Sequence, residues 1–263
     1  MSTLSAIMLV QMRAWHTGAL PELGPHGMAI AWSDTHALTD DVVSRWIADL
    51  PTGERGRYGR FQHKATAYEY LLGRRLVRAW LSALAPYGPV EWTFTEGPRG
   101  RPEIAAPATS LQFNLAHSGG VVACIVTNGV DAGVDVEDLQ RRAITRDLWH
   151  RFCAPSEAAD VDAQPQAHQQ RRFLTYWTLK EAYLKARGLG IAVHLADIAF
   201  DLTALRPRIT FQGSLAGTPD AWQFDVTEVA PHHLISWCIA GDPTQHVEVS
   251  VTHVPVSALC PLA

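Results

Sequence analysis

The chain has 263 residues, of which 47% are hydrophobic and 18% are charged, and its formal net charge is −4. This composition supports a substantial core, in one large domain or two small ones, and excludes a disordered chain. Because no long run of one sign occurs, charge gives no reason to expect nucleic acid or an anionic membrane as a partner.

We expect a cytoplasmic protein, because the sequence shows no recognisable targeting signal and its cysteines are widely spaced. The apolar stretch at 7–10 is too short for a signal segment, and no apolar run approaches the roughly 20 residues of a membrane span. The four cysteines, Cys124, Cys153, Cys238 and Cys260, are far apart and form no Cys-x-x-Cys pair. We therefore expect neither a zinc site nor a disulfide framework.

The first half of the chain predicts a capped helix, then a long helix, then strands. Thr39 precedes two acids and is the predicted N-cap of the first helix. The long helix is predicted over 65–85, with Arg74, Arg75 and Arg78 away from the centre of its buried stripe. The strands predicted in this half are 30–33, 90–94, 112–115, 121–127 and 132–137.

The second half repeats this order, with a helix-rich segment over 144–187 followed by strands. Within that segment the polar stretch 161–170 predicts a surface loop. The strands predicted here are 199–201, 208–211, 222–226, 234–240 and 246–253. Segregated helices and antiparallel strands indicate an α+β fold, and the repeated order suggests two similar subdomains.

The first candidate site lies on the strand around 132–137. Side chains two apart on a strand share a face, so Asp135 and Glu137 point one way while Val134 and Val136 point into the core. Two carboxylates so close repel each other unless a cation or protons lie between them, and hard oxygen ligands suit Mg²⁺. The alternative is an exposed strand edge with two solvated acids.

Two further segments are chemically informative. On the predicted helix around 177–185, Glu181 and Lys185 are four apart and share a face, although an ordinary helical ion pair has the same spacing. His117 and Ser118 end a strand at a turn of small residues, where a backbone can approach a ligand closely. A Gly-x-Ser-x-Gly elbow is absent, which argues against a serine hydrolase. A turn with a partly buried histidine is the alternative.

Basic residues form a third group that suits phosphate. Neither a Walker loop nor a Gly-x-Gly-x-x-Gly motif occurs, so ordinary nucleotide-binding loops are missing. A solvated basic surface is the alternative interpretation. The basic residues are Arg57, Arg60, His63, Lys64, Arg99 and Arg101.

Taken together and in this order, the segments 113–119, 133–137 and 177–185 resemble the Sfp-type (surfactin-type) 4′-phosphopantetheinyl transferases. The resemblance extends to Arg60-Phe61-Gln62-His63-Lys64 and to Leu72-Gly73-Arg74, and it covers roughly 57–190. It implies two α+β subdomains, expected at 1–131 and 132–263, with coenzyme A in the cleft between them. The first subdomain would hold the nucleotide, and the second would hold the metal-site acids and the catalytic helix.

The resemblance also implies roles for individual residues. Asp135, Glu137 and Glu181 match the metal-site acids, which implies Mg²⁺, or Mn²⁺ in its place. Glu181, Glu137 and Lys185 match the catalytic group. The positions matching coenzyme A contacts are Arg57, Arg60, Arg101, His117, Lys180 and Lys185. The chain departs from the pattern at Glu54, where related enzymes often carry lysine, at Ala116, which replaces a common serine, and at Tyr70, near the adenine.

The implied reaction moves the phosphopantetheine arm of coenzyme A to a serine of an apo acyl or peptidyl carrier protein and releases 3′,5′-ADP. The doubled architecture implies a monomer, and no nucleic acid or membrane partner is expected. Two rival hypotheses stay open at this point. One is a degenerate homologue that binds coenzyme A without transfer, and the other is a magnesium phosphohydrolase that uses the same acids with water.

Overall fold

The computed structural model of the chain describes residues 23, 27–97, 100–190, 193–212, 221–229, 231–242, 249 and 251–259. The helices are α1 (Asp40–Ala48), α2 (Thr52–Tyr58), α3 (Lys64–Leu84), α4 (Arg146–Phe152), α5 (Pro155–Ala163) and α6 (Gln166–Ala186). The strands are β1 (Met28–Asp34), β2 (Thr93–Glu96), β3 (Pro102–Ala106), β4 (Leu111–Ser118), β5 (Val121–Asn128), β6 (Ala132–Asp138), β7 (Ile198–Asp201), β8 (Arg208–Phe211), β9 (Trp222–Val229), β10 (His233–Ala240) and β11 (Val251–His253).

The first half forms a four-stranded sheet, in the order β11-β1-β5-β4, that is covered by the long helix α3. Strands β4 and β5 form a hairpin whose turn contains Gly119 and Gly120, with φ values of 56° and 85° that favour glycine. The apolar stripe of α3, including Leu72 and Leu76, is fully buried in the core of this half. Burial of this stripe holds the helix on the sheet.

The second half forms a three-stranded antiparallel sheet, in the order β6-β10-β9, that is covered by helix α6. Strands β7 and β8 pair separately. Each half therefore has one long helix on a mainly antiparallel sheet, and the prediction of an α+β fold is confirmed. None of the helices in the described ranges has the length and apolarity that a membrane span needs.

A shared core joins the two halves. Val134 and Val136 of β6 pack with Ile30 and Ile125 of the first sheet and with Ile235 of β10. At the edge of β4, Asn114 Oδ1 accepts a hydrogen bond of 3.2 Å from the backbone N–H of Val134. Strand β6 is thus held from both halves, which fixes the position of its acidic side chains.

The end of the chain returns to the first half. Strand β11 runs parallel to β1, with Ile30 opposite Val251, and Val254, Val256 and Leu259 join the core of the first half. The predicted division at 131/132 therefore does not separate two independent units, because the last residues of the second segment complete the sheet of the first. The predicted strand 246–253 is observed only over β11, and 243–248 and 250 lie outside the described residues.

Other sequence predictions have mixed outcomes. Thr39 caps α1 as expected, since its Oγ1 accepts a 3.3 Å hydrogen bond from the N–H of Val42. The predicted surface loop at 161–170 is wrong, because α5 includes the fully buried Val161 and α6 already begins at Gln166. Arg75 and Arg78, predicted only to lie away from the centre of the buried stripe, are buried as well, because Asp49 and Glu54 supply their carboxylate partners.

Candidate active site

The acidic side chains of β6 face helix α6. Val134 and Val136 point into the shared core, so the alternation of the strand directs Asp135 and Glu137 to the opposite face. Both acids are buried, with 7% and 9% of their surface exposed. The interpretation of two solvated acids on an exposed strand edge is therefore wrong, and the two carboxylates must be stabilised by neighbouring groups.

Gly133 allows α6 to pack closely on β6. A Cβ atom at this position would overlap the carbonyl oxygen of Ala182 and lie 2.7 Å from the backbone nitrogen of Ala186. Only glycine permits the helix to approach this near. The close approach brings the last turns of α6, with Glu181 and Lys185, over the acids of β6.

Lys185 forms an ion pair with Asp135. Its Nζ lies 2.6 Å from Asp135 Oδ1 and also donates to the carbonyl oxygen of Val134 at 3.3 Å. Burial raises the pKa of Asp135, while Lys185 opposes this shift. The other carboxylate oxygen of Asp135, Oδ2, is buried and has no hydrogen-bond partner among the described residues.

Glu181 lies within electrostatic range of both acids of β6. Burial raises the pKa of the Glu181 carboxyl, and the charges of Asp135 and Glu137 raise it further. No hydrogen bond or ion pair to Glu181 occurs within the described part of the chain. The helix and the strand therefore converge, and Glu181 is held by no direct ion pair in the described ranges, although the charge of Lys185 partly opposes the rise in its pKa.

Glu137 has partners on both carboxylate oxygens. Ser118 Oγ donates to Oε2 at 2.9 Å, and Arg141 Nη1 lies 2.7 Å from Oε1. Two positive groups, Lys185 and Arg141, thus stand between carboxylates that would otherwise repel. Across the described ranges, no three His, Cys, Asp or Glu side chains are already gathered at the distances of a metal site.

The donor set nevertheless suits a hard divalent cation. Asp135 offers a buried oxygen that has no hydrogen-bond partner among the described residues. Glu181 offers a partly buried carboxyl group, and burial and the like charges of its neighbours raise its pKa. Three carboxylates therefore face only two cations, Lys185 and Arg141, and carboxylate oxygens are the ligands that Mg²⁺ prefers. With Glu137 beside them, these acids fit such an ion.

The β4–β5 turn connects the acids to a neighbouring cleft. Ser118 contacts Glu137, whereas His117 lies 2.8 Å from Glu69 Oε2 through Nδ1. The N–H of Gly120 donates to the other Glu69 oxygen at 2.7 Å. Burial opposes ionisation of Glu69, but hydrogen bonds from His117 and Gly120 outweigh it and hold its pKa below the ordinary value.

The cleft has a volume of about 1000 Å³ and lies against helix α3. This volume is at the upper end of the range for small-molecule sites and is large enough for a nucleotide. Both Arg57 and Arg60 line it, together with His117, so the structure gathers three of the predicted coenzyme A contacts on one surface. The other charged and aromatic residues of the lining are Glu54, Phe61, Glu69, Tyr70, Arg74, Arg78, Phe94 and Glu96.

The cations of the cleft are partly neutralised. Arg57 pairs with Glu96 at 2.6 Å, and Arg78 binds both carboxylate oxygens of Glu54 at 2.9 and 3.0 Å. Arg74 lies over the rings of Tyr70 and Phe94, at 5.7 and 5.3 Å from their centroids. The Nε of Arg74 is buried without a hydrogen-bond partner among the described residues.

The other three predicted cofactor contacts do not line the cleft: Lys185, which pairs with Asp135 as described above, Arg101 and Lys180. Arg101 donates to the backbone carbonyls of Lys185 at 3.3 Å and Phe113 at 3.4 Å, which ties β4 to the end of α6. Lys180 is in the core, with 1% of its side chain exposed, and pairs with Glu157 at 2.5 Å. The expectation that Lys180 contacts coenzyme A is corrected here, because its ammonium group points away from the cleft and into the protein.

Sequence reasoning missed several residues of this site. Glu69 acts through His117, which is 48 positions away, so no local pattern indicates it. Ser118 was named from its turn, but its contact with Glu137, 19 positions away, was not predicted. Arg74 and Arg78 are four apart on α3, and this spacing was available as a signal for a shared cationic face. Arg99 and Pro98 lie outside the described residues.

The fold and the arrangement of acids, lysine and cleft agree with one enzyme class. The family model of the 4′-phosphopantetheinyl transferase superfamily matches residues 131–238, which include all three acids and Lys185. The chain belongs to this superfamily. It is 33% identical over 162 residues to the 4′-phosphopantetheinyl transferase HetI of Nostoc sp., covering 61% of this chain and 68% of the relative.

Two relatives from Bacillus subtilis agree with this assignment. A 4′-phosphopantetheinyl transferase of this organism is 31% identical over 167 residues, covering 63% of this chain and 72% of the relative. The transferase Sfp is 28% identical over 165 residues, with the same coverage. Among solved structures, that of Thermotoga maritima holo-[acyl-carrier-protein] synthase overlaps with a TM-score of 0.35 at 15% identity, covering 43% of this chain and 64% of that chain.

Proposed function

We propose that this chain transfers the 4′-phosphopantetheine group of coenzyme A to a serine of an apo acyl or peptidyl carrier protein, releasing 3′,5′-ADP. The observation that supports this proposal most directly is the meeting of Asp135 and Glu137 with Glu181 and Lys185 beside a basic cleft. A diphosphate needs positive charge at its oxygens, and a nucleotide needs a cleft of this size next to it.

The cleft is the proposed site of the nucleotide part of coenzyme A. Arg57, Arg60 and His117 line it and would contact phosphate, while Tyr70 offers an aromatic ring to the base. Guanidinium groups bind phosphate through paired N–H donors, which positions the nucleotide as well as neutralising it. The pyrophosphate would then point towards Lys185, through the turn that contains His117 and Ser118.

Asp135, Glu137 and Glu181 are the proposed ligands of Mg²⁺, or of Mn²⁺ in its place. When bound, such an ion would neutralise charge on the diphosphate and on the leaving 3′,5′-ADP. Lys185 would add a positive charge on the same side, since its Nζ already lies against Asp135. Most of the rate acceleration in phosphoryl transfer comes from positioning and electrostatic stabilisation of this kind.

Glu181 is the proposed base for the carrier serine, directly or through a water molecule. Glu137 is less suited, because Ser118 and Arg141 occupy its two oxygens. Glu181 forms no hydrogen bond or ion pair among the described residues, so one of its oxygens could accept the serine proton while the carboxylate stays close to the metal. The serine oxygen would attack the β-phosphorus in line with the leaving group.

A transfer assay tests the proposal. The protein is incubated with coenzyme A, Mg²⁺ and an apo carrier protein, and the mass of the carrier is measured by mass spectrometry. We expect the carrier to gain one phosphopantetheine group, and Asp135→Ala and Glu181→Ala to abolish the gain while the chain stays folded. Asp41→Ala is the matched control, since Asp41 is an exposed acid paired with Arg45.

Two results would contradict the proposal. Release of 4′-phosphopantetheine and 3′,5′-ADP from coenzyme A without any carrier would favour the phosphohydrolase hypothesis, because water would then be the nucleophile at the diphosphate. Binding of coenzyme A with no transfer to a panel of unrelated carriers would favour the degenerate homologue. The same panel identifies the carrier class, and running it with Mg²⁺, Mn²⁺ or a chelator identifies the metal requirement.

A further inference from the structure

Arg141 lies on one side of the acid cluster, which is formed by Asp135, Glu137 and Glu181. It lies in the turn after β6, where its backbone N–H donates to the carbonyl oxygen of Asp138 at 3.2 Å. Its guanidinium lies 2.7 Å from Glu137, with 46% of the Arg141 side chain exposed against 11% of the Glu137 side chain. An exposed cation therefore covers a buried acid at the mouth of the site.

The three acids differ in what neutralises them. Asp135 has Lys185, which lies on helix α6 and also donates to the carbonyl oxygen of Val134, whereas Glu181 forms no ion pair within the described residues. Glu137 has Arg141, which belongs to a turn and can swing into solvent without disturbing a strand pairing. Of the two cations in the cluster, Arg141 is thus the one that can leave.

We propose that Arg141 is a displaceable counter-ion that holds Glu137 until a divalent cation takes its place. This inference rests on the proposed metal role of Glu137. Ion pairs with an exposed partner contribute little net stability, so a doubly charged ion next to Asp135 and Glu181 outcompetes a single guanidinium. Arg141 then lowers the affinity for the metal, because binding must first break the pair with Glu137.

Before a metal binds, the two cations also reduce the repulsion between the carboxylates of the acid cluster and so keep them close together. Lys185 and Arg141 balance two of the three carboxylate charges, so the acids need not move apart. Displacement releases the guanidinium of Arg141 at the mouth and makes Glu137 available as a ligand. Arg141 is therefore a positioning residue that acts through Glu137.

Mn²⁺ binding tests the proposal without any activity measurement. Free Mn²⁺ is titrated by its electron paramagnetic resonance signal against wild type, Arg141→Ala, Arg141→Lys and Arg142→Ala. Arg142→Ala is the matched control. It removes the same charge from the next residue, which is exposed and forms no ion pair with an acid among the described residues. Thermal melting of each variant checks that the fold is intact.

We expect Arg141→Ala to bind Mn²⁺ roughly three- to tenfold more tightly than Arg142→Ala, and Arg141→Lys to stay within about twofold of wild type. Equal affinities in the two alanine variants, or weaker binding in Arg141→Ala, would overturn the displaceable role. If wild type transfers phosphopantetheine but the two alanine variants bind alike, only this inference fails. If no variant binds Mn²⁺ and no transfer occurs, the proposed function fails with it.

Discussion

Lys185 Nζ lies 2.6 Å from Asp135 Oδ1, across 50 positions of sequence and between a helix and a strand. This contact connects the catalytic helix α6 to the acid-bearing strand β6. It also opposes the rise in the pKa of Asp135 that burial causes. The lysine thus favours the ionised form of a buried carboxyl group and presents positive charge beside the proposed diphosphate site.

Replacing Lys185 by Met should therefore reduce transfer strongly. We expect kcat/KM to fall by about 10²-fold or more, as for removal of one electrostatic group from a phosphoryl-transfer or acyl-transfer site. The measurement is the rate of carrier modification at saturating coenzyme A. Lys64→Met is the control, because Lys64 is an exposed lysine that also pairs with an aspartate, and full activity of Lys185→Met would remove this residue from the mechanism.

Replacing Gly133 by Ala should separate α6 from β6. The added methyl group would overlap the carbonyl oxygen of Ala182, and the atoms that it meets are backbone atoms of α6, so no side chain can move aside to make room. We expect a loss of about 3 kcal/mol or more in the free energy of unfolding, at the upper end for overpacking, together with loss of transfer.

Gly56→Ala is the control for this substitution. Gly56 lies in the middle of α2, and no atom lies within 4 Å of the position that a Cβ would take there, so the change should stabilise by about 0.5–1 kcal/mol. Urea unfolding measures both variants. A Gly133→Ala protein as stable and active as wild type would show that the helix and the strand tolerate a wider separation.

The sequence permitted prediction of those parts of the site that depend on local periodicity. Alternation along β6 places Asp135 and Glu137 on one face, and helical spacing places Glu181 and Lys185 on another. Neither pattern shows that the two faces meet. That meeting depends on Gly133 packing against Ala182, a contact between residues 49 positions apart that no local pattern predicts.

The missed features share a physical cause. The spacing of apolar residues predicts an amphipathic α6, yet Leu179, Lys180, Ala182, Tyr183 and Leu184 are all buried, because strands and α5 surround the helix. A lysine in such a helix can be buried if an acid forms an ion pair with it, as Glu157 does with Lys180. The return of β11 to the first sheet is equally invisible locally, since it depends on a pairing between strands at opposite ends of the chain.

Asp160 should make stability depend on pH. Burial opposes its ionisation, but hydrogen bonds from Arg172 and Tyr176 outweigh it and hold the pKa of Asp160 below its ordinary value. Its contribution is therefore present above the unfolded-state pKa of about 3.9 and is lost as the pH falls through the lower folded value.

We expect Asp160→Asn to lower the free energy of unfolding by about 1 kcal/mol at pH 7, and by progressively less below about pH 4. Urea unfolding of wild type and variant at several pH values measures the difference. Asp41→Asn should show almost no effect at any of them, because Asp41 is exposed. A difference that stays constant down to the lowest pH would mean that the charge of Asp160 is not what stabilises the fold.

Lys180 distinguishes a structural role from direct cofactor binding. Its Nζ pairs with Glu157 at 2.5 Å and donates to the carbonyl oxygens of Phe152 and Leu195, each at 3.0 Å. Removing one partner of a buried pair leaves the other charge uncompensated, which costs about 3–5 kcal/mol. We therefore expect Lys180→Met to be strongly destabilised in urea, even though Glu181 beside it is unchanged.

The double variant Lys180→Met with Glu157→Gln should recover much of that stability, since no isolated buried charge remains. Its KM for coenzyme A, measured on the folded fraction at low temperature, should stay within about twofold of wild type. A rise of tenfold or more in KM, with stability restored, would instead return Lys180 to the nucleotide site. The pair of measurements separates the two roles because only the stability depends on Glu157.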